Sequence, residues 1–454
     1  MTPTIRPAYG TSDVTWGGQE LWAFPFDHPP QGLGQGNGAA PAIWALVSTP
    51  VLNILREQGF GAAFRLAISG KEFHLVGYAF VDDSDIIQTA PIGETDIRPV
   101  FDRAQAGLDT FVGGMKATGG QVRPDKCYYY KIAFEWKNEQ WKYVKKMATD
   151  RELYIQETPT KRTNIRQFNP TQAAETLGIW LAPDGNNKEA IKVMTKISKT
   201  WADRVRSGFL TSNEAWLSYS AVVSKKLEYP LIATTMTKKE CDDIERPLVQ
   251  QLLASSRMLR SFPQAVLNGP REINGLGRYP VYHKQGRQHV DQLLKHGHQE
   301  TVTGALIRTL IEQHNLELGL GVSIFQTDYT KFRLLATDSW IKNTWEFTDR
   351  HNISLIDNVP NLVLRCVNDS FLMAQFYKHG FTGKDLAQLN SCRIYLQVSR
   401  ASDIGSGDSK FILPYILACE KDITQSTPYT WPRAMRPNHK TRLLWAQALQ
   451  ATYG

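Results

Sequence analysis

Two adjacent aspartates are the residues of this sequence best suited to metal chemistry. Asp82 and Asp83 lie near the centre of LVGYAFVDDSDIIQT (residues 75–89), between apolar runs typical of strands. An isolated Asp-Asp pair is most often a polar turn, but these flanks predict a turn held by a buried sheet. Two carboxylates fixed so close repel each other, and a divalent cation relieves that repulsion. Mg²⁺ is the expected ion, because it prefers carboxylate oxygens and leaves positions open for phosphate.

The surrounding pattern predicts the elements that position this pair. A Gly-rich loop leads into a helix that starts near Pro41, which suits a first helical turn. Two strands joined at Gly70 follow, and a third resumes after the aspartates. An amphipathic helix then runs until Gly119-Gly120 stops it. The predicted loop, helix, strands and second helix cover residues 31–40, 41–58, 60–69, 71–80, 86–89 and 96–115.

The rest of the chain is predicted to be mainly helical. Residues 127–134 and 140–144 are strand-like, most of 185–318 has helical periodicity, and the last 150 or so residues are α-rich. NSCRIYLQV (residues 390–398) is a strand-like exception. Histidines between residues 283 and 298 have no cysteine near them, which disfavours a zinc site.

The charge is unevenly distributed along the 454 residues. The formal net charge is +8, yet the first hundred residues hold five Lys and Arg against ten Asp and Glu. Residues 137–206 hold fourteen Lys and Arg against eight Asp and Glu. Basic side chains gain affinity for nucleic acid by releasing its condensed counterions. We therefore expect the basic part to bind nucleic acid, with Lys142, Lys145 and Lys146 contacting phosphates, while tryptophans nearby either pack in the core or meet bases.

Two further features indicate the compartment. No apolar run approaches the length of a membrane span, so no membrane partner is expected. The five cysteines are widely separated and odd in number, which is typical of free thiols in a reducing compartment. The expected location is intracellular, in the nucleus or the cytoplasm.

Two motifs together resemble those of reverse transcriptases. In GYAFVDD, Phe80, Val81, Asp82 and Asp83 are similar to that family's catalytic hairpin, an aromatic residue and a small or apolar one before two aspartates. GLGQGNGAAPAIW (residues 32–44) resembles the preceding motif, Gln-Gly followed by Ser-Pro at a helix start, with alanine where serine is usual.

Two downstream segments extend the resemblance. Lys126, in GGQVRPDKCYYY, matches the lysine that follows the second helix of the polymerase palm. ETLGIWLAPDGN (residues 175–186) is similar to the Leu-Gly-Ile segment before the thumb of reverse transcriptases from retrotransposons without long terminal repeats. The resemblance covers roughly residues 20–260.

The resemblance implies an α+β fold in three parts. Residues 1–145 would be a partial palm, an antiparallel sheet with two helices; 146–318 a thumb-like basic helical region; and 319–454 an α-rich domain of unknown role. Its chemistry would be two-metal nucleotidyl transfer to a primer 3′ end. Partners would be an RNA template, an RNA–DNA hybrid or primer–template duplex, and deoxynucleoside triphosphates.

The resemblance also implies residue roles. Asp82 would be a direct Mg²⁺ ligand with Asp83 supporting it, and Lys126 would neutralise or protonate the leaving pyrophosphate. The incoming nucleotide and template would lie against a further set: Gln35, Gly36, Asn37 and Phe80.

The sequence departs from the family in one respect. Reverse transcriptases have another catalytic aspartate on an earlier palm strand, and this sequence has no residue that matches it. Only Asp13, Glu20 and Asp27 precede the Gln-Gly loop, and none follows a suitable strand. We therefore expect a palm without its N-terminal part and fingers, and no polymerisation by the chain alone. Two alternatives stay open: a catalytically dead nucleic-acid-binding remnant, and a fragment of an RNA-directed RNA polymerase. Val81 argues against the second, because that family usually has glycine there.

Overall fold

The computed structural model describes residues 39–80, 83–90, 97–137, 140–147, 150–407, 410–421 and 427–453. Within these ranges the protein is α+β, with fifteen α-helices and twelve short strands that pair as six two-stranded sheets. No described helix is both long and apolar enough to span a membrane.

The strands are three to five residues long. In chain order they are β1 Ala62–Arg65, β2 Glu72–Leu75, β3 Gly77–Phe80, β4 Asp83–Ile86, β5 Tyr128–Tyr130, β6 Phe134–Lys137, β7 Gln140–Tyr143, β8 Tyr154–Thr158, β9 Lys161–Asn164, β10 Arg166–Phe168, β11 Ala174–Thr176 and β12 Ile179–Leu181. Strands adjacent in sequence pair with each other, except that β5 pairs with β10.

The helices dominate the second half. They are α1 Ala40–Glu57, α2 Ile97–Ala117, α3 Lys188–Ser207, α4 Ser212–Ser218, α5 Ser224–Glu228, α6 Lys238–Ser255, α7 Gln264–Asn268, α8 Val281–His296, α9 Val302–Leu318, α10 Tyr329–Phe332, α11 Trp340–Arg350, α12 Leu372–Lys378, α13 Gly383–Leu396, α14 Pro414–Leu417 and α15 His439–Tyr453. A π-helical turn, Tyr219–Val223, joins α4 to α5.

The chain divides into two compact units. The first unit contains the described residues up to Phe64 together with His74–Tyr129 and Met147–Gln167. The second unit contains Arg65–Phe73, Tyr130–Lys146 and the described residues from Phe168 onward. The candidate metal hairpin belongs to the first unit, and the basic hairpin belongs to the second.

In the first unit, α2 contacts both α1 and β8. A Cβ atom at Gly114 would lie 2.9 Å from a Val51 methyl, so the glycine lets α1 approach α2 closely. The Gln105 side chain fixes β8 to α2, because it donates to the Tyr154 carbonyl (2.9 Å) and accepts from the Tyr154 N–H (3.0 Å). Both helices of the sequence prediction are confirmed within two residues of their ends.

The second unit has two main cores. One lies among α3 to α8, where Met194, Leu231 and Ile244 are almost fully buried. The other lies among α9 to α15 and is built around Trp345 and Trp445, neither of which is exposed. The prediction of a mainly helical second half is therefore confirmed.

Two local predictions were wrong. The region expected to be a helical thumb contains strands β8 to β12 between Tyr154 and Leu181, and TKRTNIR contains all of β9. Pro159 and Thr160 sit at the turn of the β8–β9 hairpin, and Thr163 supplies a β-branched side chain in the second strand. Conversely, NSCRIYLQV is mostly the end of α13, because Leu389, Arg393 and Leu396 recur at helical spacing on its buried side.

The strand predicted over residues 71–80 is also different from the observed one. Val76 separates β2 from β3, and only β3 pairs with β4. The expected burial of this hairpin is wrong, because Tyr78 and Phe80 are 45% and 62% exposed. Its side chains are therefore open to solvent and to ligands.

Candidate functional site

The β3–β4 hairpin places one of the two predicted aspartates at the end of a strand. Phe80 pairs with Asp83 in antiparallel register, so Asp83 begins β4 directly after the turn. Asp82 lies outside the described residues, as do Gln35, Gly36 and Asn37. A pair of strands on either side of residues 81–82 agrees with the sequence prediction of a hairpin here.

A second carboxylate joins Asp83 on the same face of the hairpin. Side chains alternate along a strand, so Asp85 shares a face with Asp83, and the register adds Tyr78 and Phe80 to that face. All four are exposed. Sequence reasoning overlooked Asp85, although the period of two in DDSD was a sufficient signal.

The charge of Asp83 acts on the Asp85 carboxyl group. Although the Asp85 side chain is still open to water, its partial desolvation raises its pKa, and the nearby charge of Asp83 raises it further. A cation between them would reverse both effects, because it favours the charged carboxylates. The donor set of two hard oxygen ligands therefore fits Mg²⁺ in chemistry.

The donor set is small, however. Among the residues that the structure describes, no group of three or more His, Cys, Asp or Glu side chains could hold a metal ion. Asp83 and Asp85 would thus leave most coordination positions to water or to phosphate oxygens.

The local sequence forces the two strands together at this site. A side chain at Gly77 would collide with the Asp85 carbonyl oxygen, so only glycine allows this close approach. Beyond the hairpin, the Ile87 N–H donates to the Val76 carbonyl at 2.9 Å, and Gln88 Oε1 accepts from the Gly61 N–H at 3.0 Å. The first bond extends the pairing of the two strands, and the second ties the base of the hairpin to the residue before β1.

Replacing Asp83 by asparagine is expected to lower the pKa of Asp85. The substitution removes the like charge but leaves the larger effect of burial, so the pKa should stay above its ordinary value. A pH titration of the Asp85 carboxyl carbon by NMR measures the shift. Ser84→Ala, on the opposite face, is the matched control, and an unchanged Asp85 pKa in Asp83→Asn would show that the carboxylates do not interact.

Lys126 lies on a single 3-10 turn, Pro124–Lys126, in the first unit. Its side chain is exposed and, within the described part of the chain, makes no hydrogen bond or ion pair. The neighbouring Arg123 and Asp125 instead pair with each other at 2.8 Å. Lys126 is thus available to an anion, and its role toward pyrophosphate stays a prediction.

The basic β6–β7 hairpin has an aromatic face and a polar face. Phe134 lies against Tyr143 with ring centroids 4.7 Å apart, and Trp136 meets Trp141 edge to face at 5.2 Å. The Trp141 Nε1–H donates to the Arg433 carbonyl at 2.8 Å, and the Tyr143 hydroxyl donates to the Pro183 carbonyl at 2.9 Å. This face therefore anchors the hairpin on the second unit.

The register places one of the predicted phosphate-binding lysines on the face opposite the aromatic residues. Lys142 lies across from Glu135 on that face, and Lys145 and Lys146 follow the end of β7. The Lys146 N–H donates to Asn169 Oδ1 at 2.8 Å, which fixes the backbone there. All three side chains are exposed, and no carboxylate of the described residues lies within ion-pair distance of them. The structure thus places three lysines that pair with no described carboxylate on one short segment of the chain.

A second basic feature lies on α3. Lys188, Lys192 and Lys196 are successive i, i+4 neighbours, and Arg204 continues the same row, which winds gradually around the helix. Lys196 and Arg204, with Lys226, border a groove of about 250 Å³ whose floor includes apolar residues of α3 and the π-helical turn. The sequence showed the basic residues, but not the groove.

No protein-family model matches this chain, and comparison with curated proteins finds no relative.

Proposed function

We propose that this chain is a reverse-transcriptase-like protein of a retroelement that binds primer–template nucleic acid and Mg²⁺. The observation that carries the proposal is the order of elements in the first unit: α1, a hairpin with Phe80 opposite Asp83, and the amphipathic α2. This is the order that the motifs GLGQGNGAAPAIW and GYAFVDD lead us to expect for a palm.

In this proposal the residues have separate tasks. Asp83 and Asp85 hold Mg²⁺, with Asp82 as a further ligand, and Phe80 offers an exposed aromatic wall beside them. Bound Mg²⁺ supplies Lewis acidity toward phosphate oxygens. Lys126 offsets negative charge on the leaving pyrophosphate, while Gln35, Gly36 and Asn37 contact the incoming nucleotide.

The proposed metal site is tested with Mn²⁺ as a spectroscopic substitute for Mg²⁺. We expect Mn²⁺ binding by electron paramagnetic resonance, competed by Mg²⁺, and weakened about tenfold in Asp83→Asn or Asp85→Asn, which corresponds to about 1.4 kcal/mol. Glu135→Gln, an exposed acid on β6, is the control. Equal affinity in all variants would place the cation elsewhere.

Primer extension tests the catalytic part of the proposal. Because the described residues bring only two carboxylates together, we expect no Mg²⁺-dependent extension of a primer on an RNA template by this chain alone. Extension that Asp82→Ala abolishes would show that the centre is complete and would overturn this expectation.

Binding without catalysis is the second candidate function, and the exposed lysines after β7 favour it. Replacing Lys142, Lys145 and Lys146 by alanine is expected to weaken binding of a labelled RNA–DNA hybrid at least about tenfold. The slope of log affinity against log salt concentration should fall by about 3, one unit for each lost phosphate contact. Fluorescence anisotropy at several salt concentrations measures both quantities.

The matched control removes three lysines that already have carboxylate partners. Lys238, Lys239 and Lys331 pair with Asp242, Asp243 and Asp328, so their replacement changes the net charge equally but removes no free cation. If both triple variants lose the same affinity, the effect is one of total charge, and the β6–β7 segment is not the contact site.

A further inference from the structure

The groove beside α3 differs from the basic segment after β7 because its floor is apolar. The groove extends along about three turns of α3, from Val193 to Arg204, which is a length of about 16 Å. Ile197 lines it from α3, while Val222 and Val223 line it from the π-helical turn. A concave surface of this length and width fits a narrow, elongated ligand.

The core beneath the groove holds its floor in place. Trp201 is 8% exposed, and its Nε1–H donates to Ser218 Oγ at 2.8 Å. The Trp201 ring also meets the Tyr219 ring edge to face, with centroids 6.2 Å apart. Tyr219 begins the π-helical turn, and its carbonyl accepts from the Ser224 N–H five residues later. These contacts fix the π-helical turn against α3, so the groove is formed before any ligand binds.

Apolar side chains in the groove remain open to water. Val222 is 48% exposed, although its neighbour Val223 is almost fully buried. Val193 and Ile197, on the α3 side, are half-buried. A ligand with an apolar face would remove these side chains from water, which favours its binding.

Three cations border this apolar floor. Lys196 and Arg204 lie about two turns apart on α3, and Lys226 belongs to α5. All three side chains are exposed, and none forms an ion pair with a carboxylate in the described part of the chain. The described residues that line the groove include no aspartate or glutamate. The positive charge of the groove is therefore available to an acidic ligand.

Nucleic acid matches this combination poorly. Its sugar–phosphate backbone would pair with the cations but would leave the aliphatic floor without an apolar partner. Base stacking needs an open aromatic ring, and Trp201, the aromatic residue among the described lining residues, is buried. An amphipathic helix with carboxylates beside its apolar face is complementary to both the floor and the rim.

We infer that the α3 groove is a docking site for an acidic amphipathic helix of a partner protein. The apolar residues of that helix fill the groove, and its Asp or Glu side chains pair with Lys196, Arg204 and Lys226. The length of the groove corresponds to about eleven residues of the partner helix. The inference is independent of the proposed nucleic-acid function, which assigns no task to these residues.

Fluorescence anisotropy with a labelled synthetic helix and the full chain tests the inference. The probe has about four helical turns, with a leucine stripe, glutamate on both sides of the stripe and alanine elsewhere. A control peptide has the same composition in scrambled order, so its charge is equal but it has no apolar stripe. We expect the striped peptide to bind at least about tenfold more tightly than the scrambled one. Its affinity should fall as the salt concentration rises, because the rim cations are exposed.

Matched variants test the floor and the rim separately. Val222→Glu places a carboxylate on the exposed part of the floor and should weaken binding at least about tenfold. Val302→Glu, the same change at a similarly exposed valine of α9, should leave the affinity unchanged. Lys226→Glu should also weaken binding, whereas Lys199→Glu, at an exposed position of α3 outside the groove, should have little effect.

Reversing the charges on both partners distinguishes pairing across the groove from a loss of folding. A striped peptide with lysine in place of glutamate should bind the triple variant Lys196→Glu, Arg204→Glu, Lys226→Glu at least about tenfold more tightly than it binds the wild type. The inference is overturned if the wild type binds neither glutamate peptide or binds both equally, or if Lys226→Glu and Lys199→Glu lose the same affinity. It is also overturned if the groove variants weaken binding of an RNA–DNA hybrid but not of the striped peptide, because the groove would then bind nucleic acid.

Discussion

Replacing Arg393 by methionine should lower the free energy of unfolding by about 3–5 kcal/mol. Arg393 lies on α13 and is not exposed at all. Its guanidinium donates to the carbonyl oxygens of Leu316 (2.7 Å) and Glu317 (2.6 Å), to Asn390 Oδ1 (2.7 Å) and to Ser399 Oγ (3.1 Å). Methionine has similar bulk but no donor, so these buried acceptors would lose their partner.

The position of these acceptors explains why the expected loss of unfolding free energy is large. Leu316 and Glu317 are at the C-terminal end of α9, where carbonyl groups have no partner within the helix and the helix dipole favours a cation. Arg393 therefore caps α9 from a neighbouring helix. Burial lowers the pKa of Arg393 to about 9, while the Glu317 and Asp403 carboxylates oppose that effect. Removing the Arg393 cation would leave the negative charge of the buried Glu317 carboxylate with less opposite charge nearby.

Urea denaturation followed by circular dichroism measures the effect. Arg393→Lys keeps the charge but loses the planar fork, so an intermediate loss of about 1–3 kcal/mol is expected. Lys384→Met, an exposed position on the same helix, is the control for the loss of a cation. If Arg393→Met and Lys384→Met are equally stable, the hydrogen bonds of Arg393 contribute little to the free energy of unfolding, and the predicted loss is wrong.

The elements around the candidate metal site were predictable because their patterns are local. The apolar periodicity of α1 and α2 extends over several turns, and the turn before Asp83 lies between strand-forming residues. Exposure of the hairpin was not predictable, because it depends on which elements cover Tyr78 and Phe80. The position of Asp83 and Asp85 on the same face could be predicted from the two-residue period of a strand alone.

The errors farther along the chain arise from tertiary packing. Ile394 and Tyr395 favour a strand by intrinsic preference, yet α13 forms because Leu389 and Leu396 pack on one side of a helix. Strands β8 to β12 have three to five residues each, too few for alternation to show clearly in a basic segment. The burial of Arg393 has no sequence signal, since it depends on where α9 ends.

Lowering the pH from 7.5 to 5 should destabilise the protein through His289, a fully buried residue on α8. Its Nε2 atom lies 3.1 Å from the Leu231 carbonyl, and its ring contacts the Trp340 ring at 4.6 Å between centroids. The Nδ1 atom has no hydrogen-bond partner among the described residues, so protonation would place a charge on a ring that is shielded from water. Burial accordingly lowers the pKa of His289 to about 4.

The sign of the effect follows from comparing the folded and unfolded states. The unfolded histidine has a pKa near 6.5, so between that pH and about 4 the unfolded state binds a proton that the folded state does not. Stability is therefore complete above about pH 6.5 and falls as the pH decreases. The loss at pH 5 is about 2 kcal/mol, and it levels off near 3 kcal/mol below pH 4.

Urea denaturation of wild type and His289→Gln at pH 7.5, 6 and 5 isolates this contribution. Glutamine can still donate to the Leu231 carbonyl but does not titrate, so the wild type should lose about 2 kcal/mol more than the variant between pH 7.5 and 5. Burial also lowers the pKa values of His283 and His351, whose effects are common to both proteins and cancel in the difference. His298→Gln, at an exposed site, should behave as the wild type. Parallel losses in wild type and His289→Gln would mean that His289 is protonated in the folded state, and that its cavity admits water.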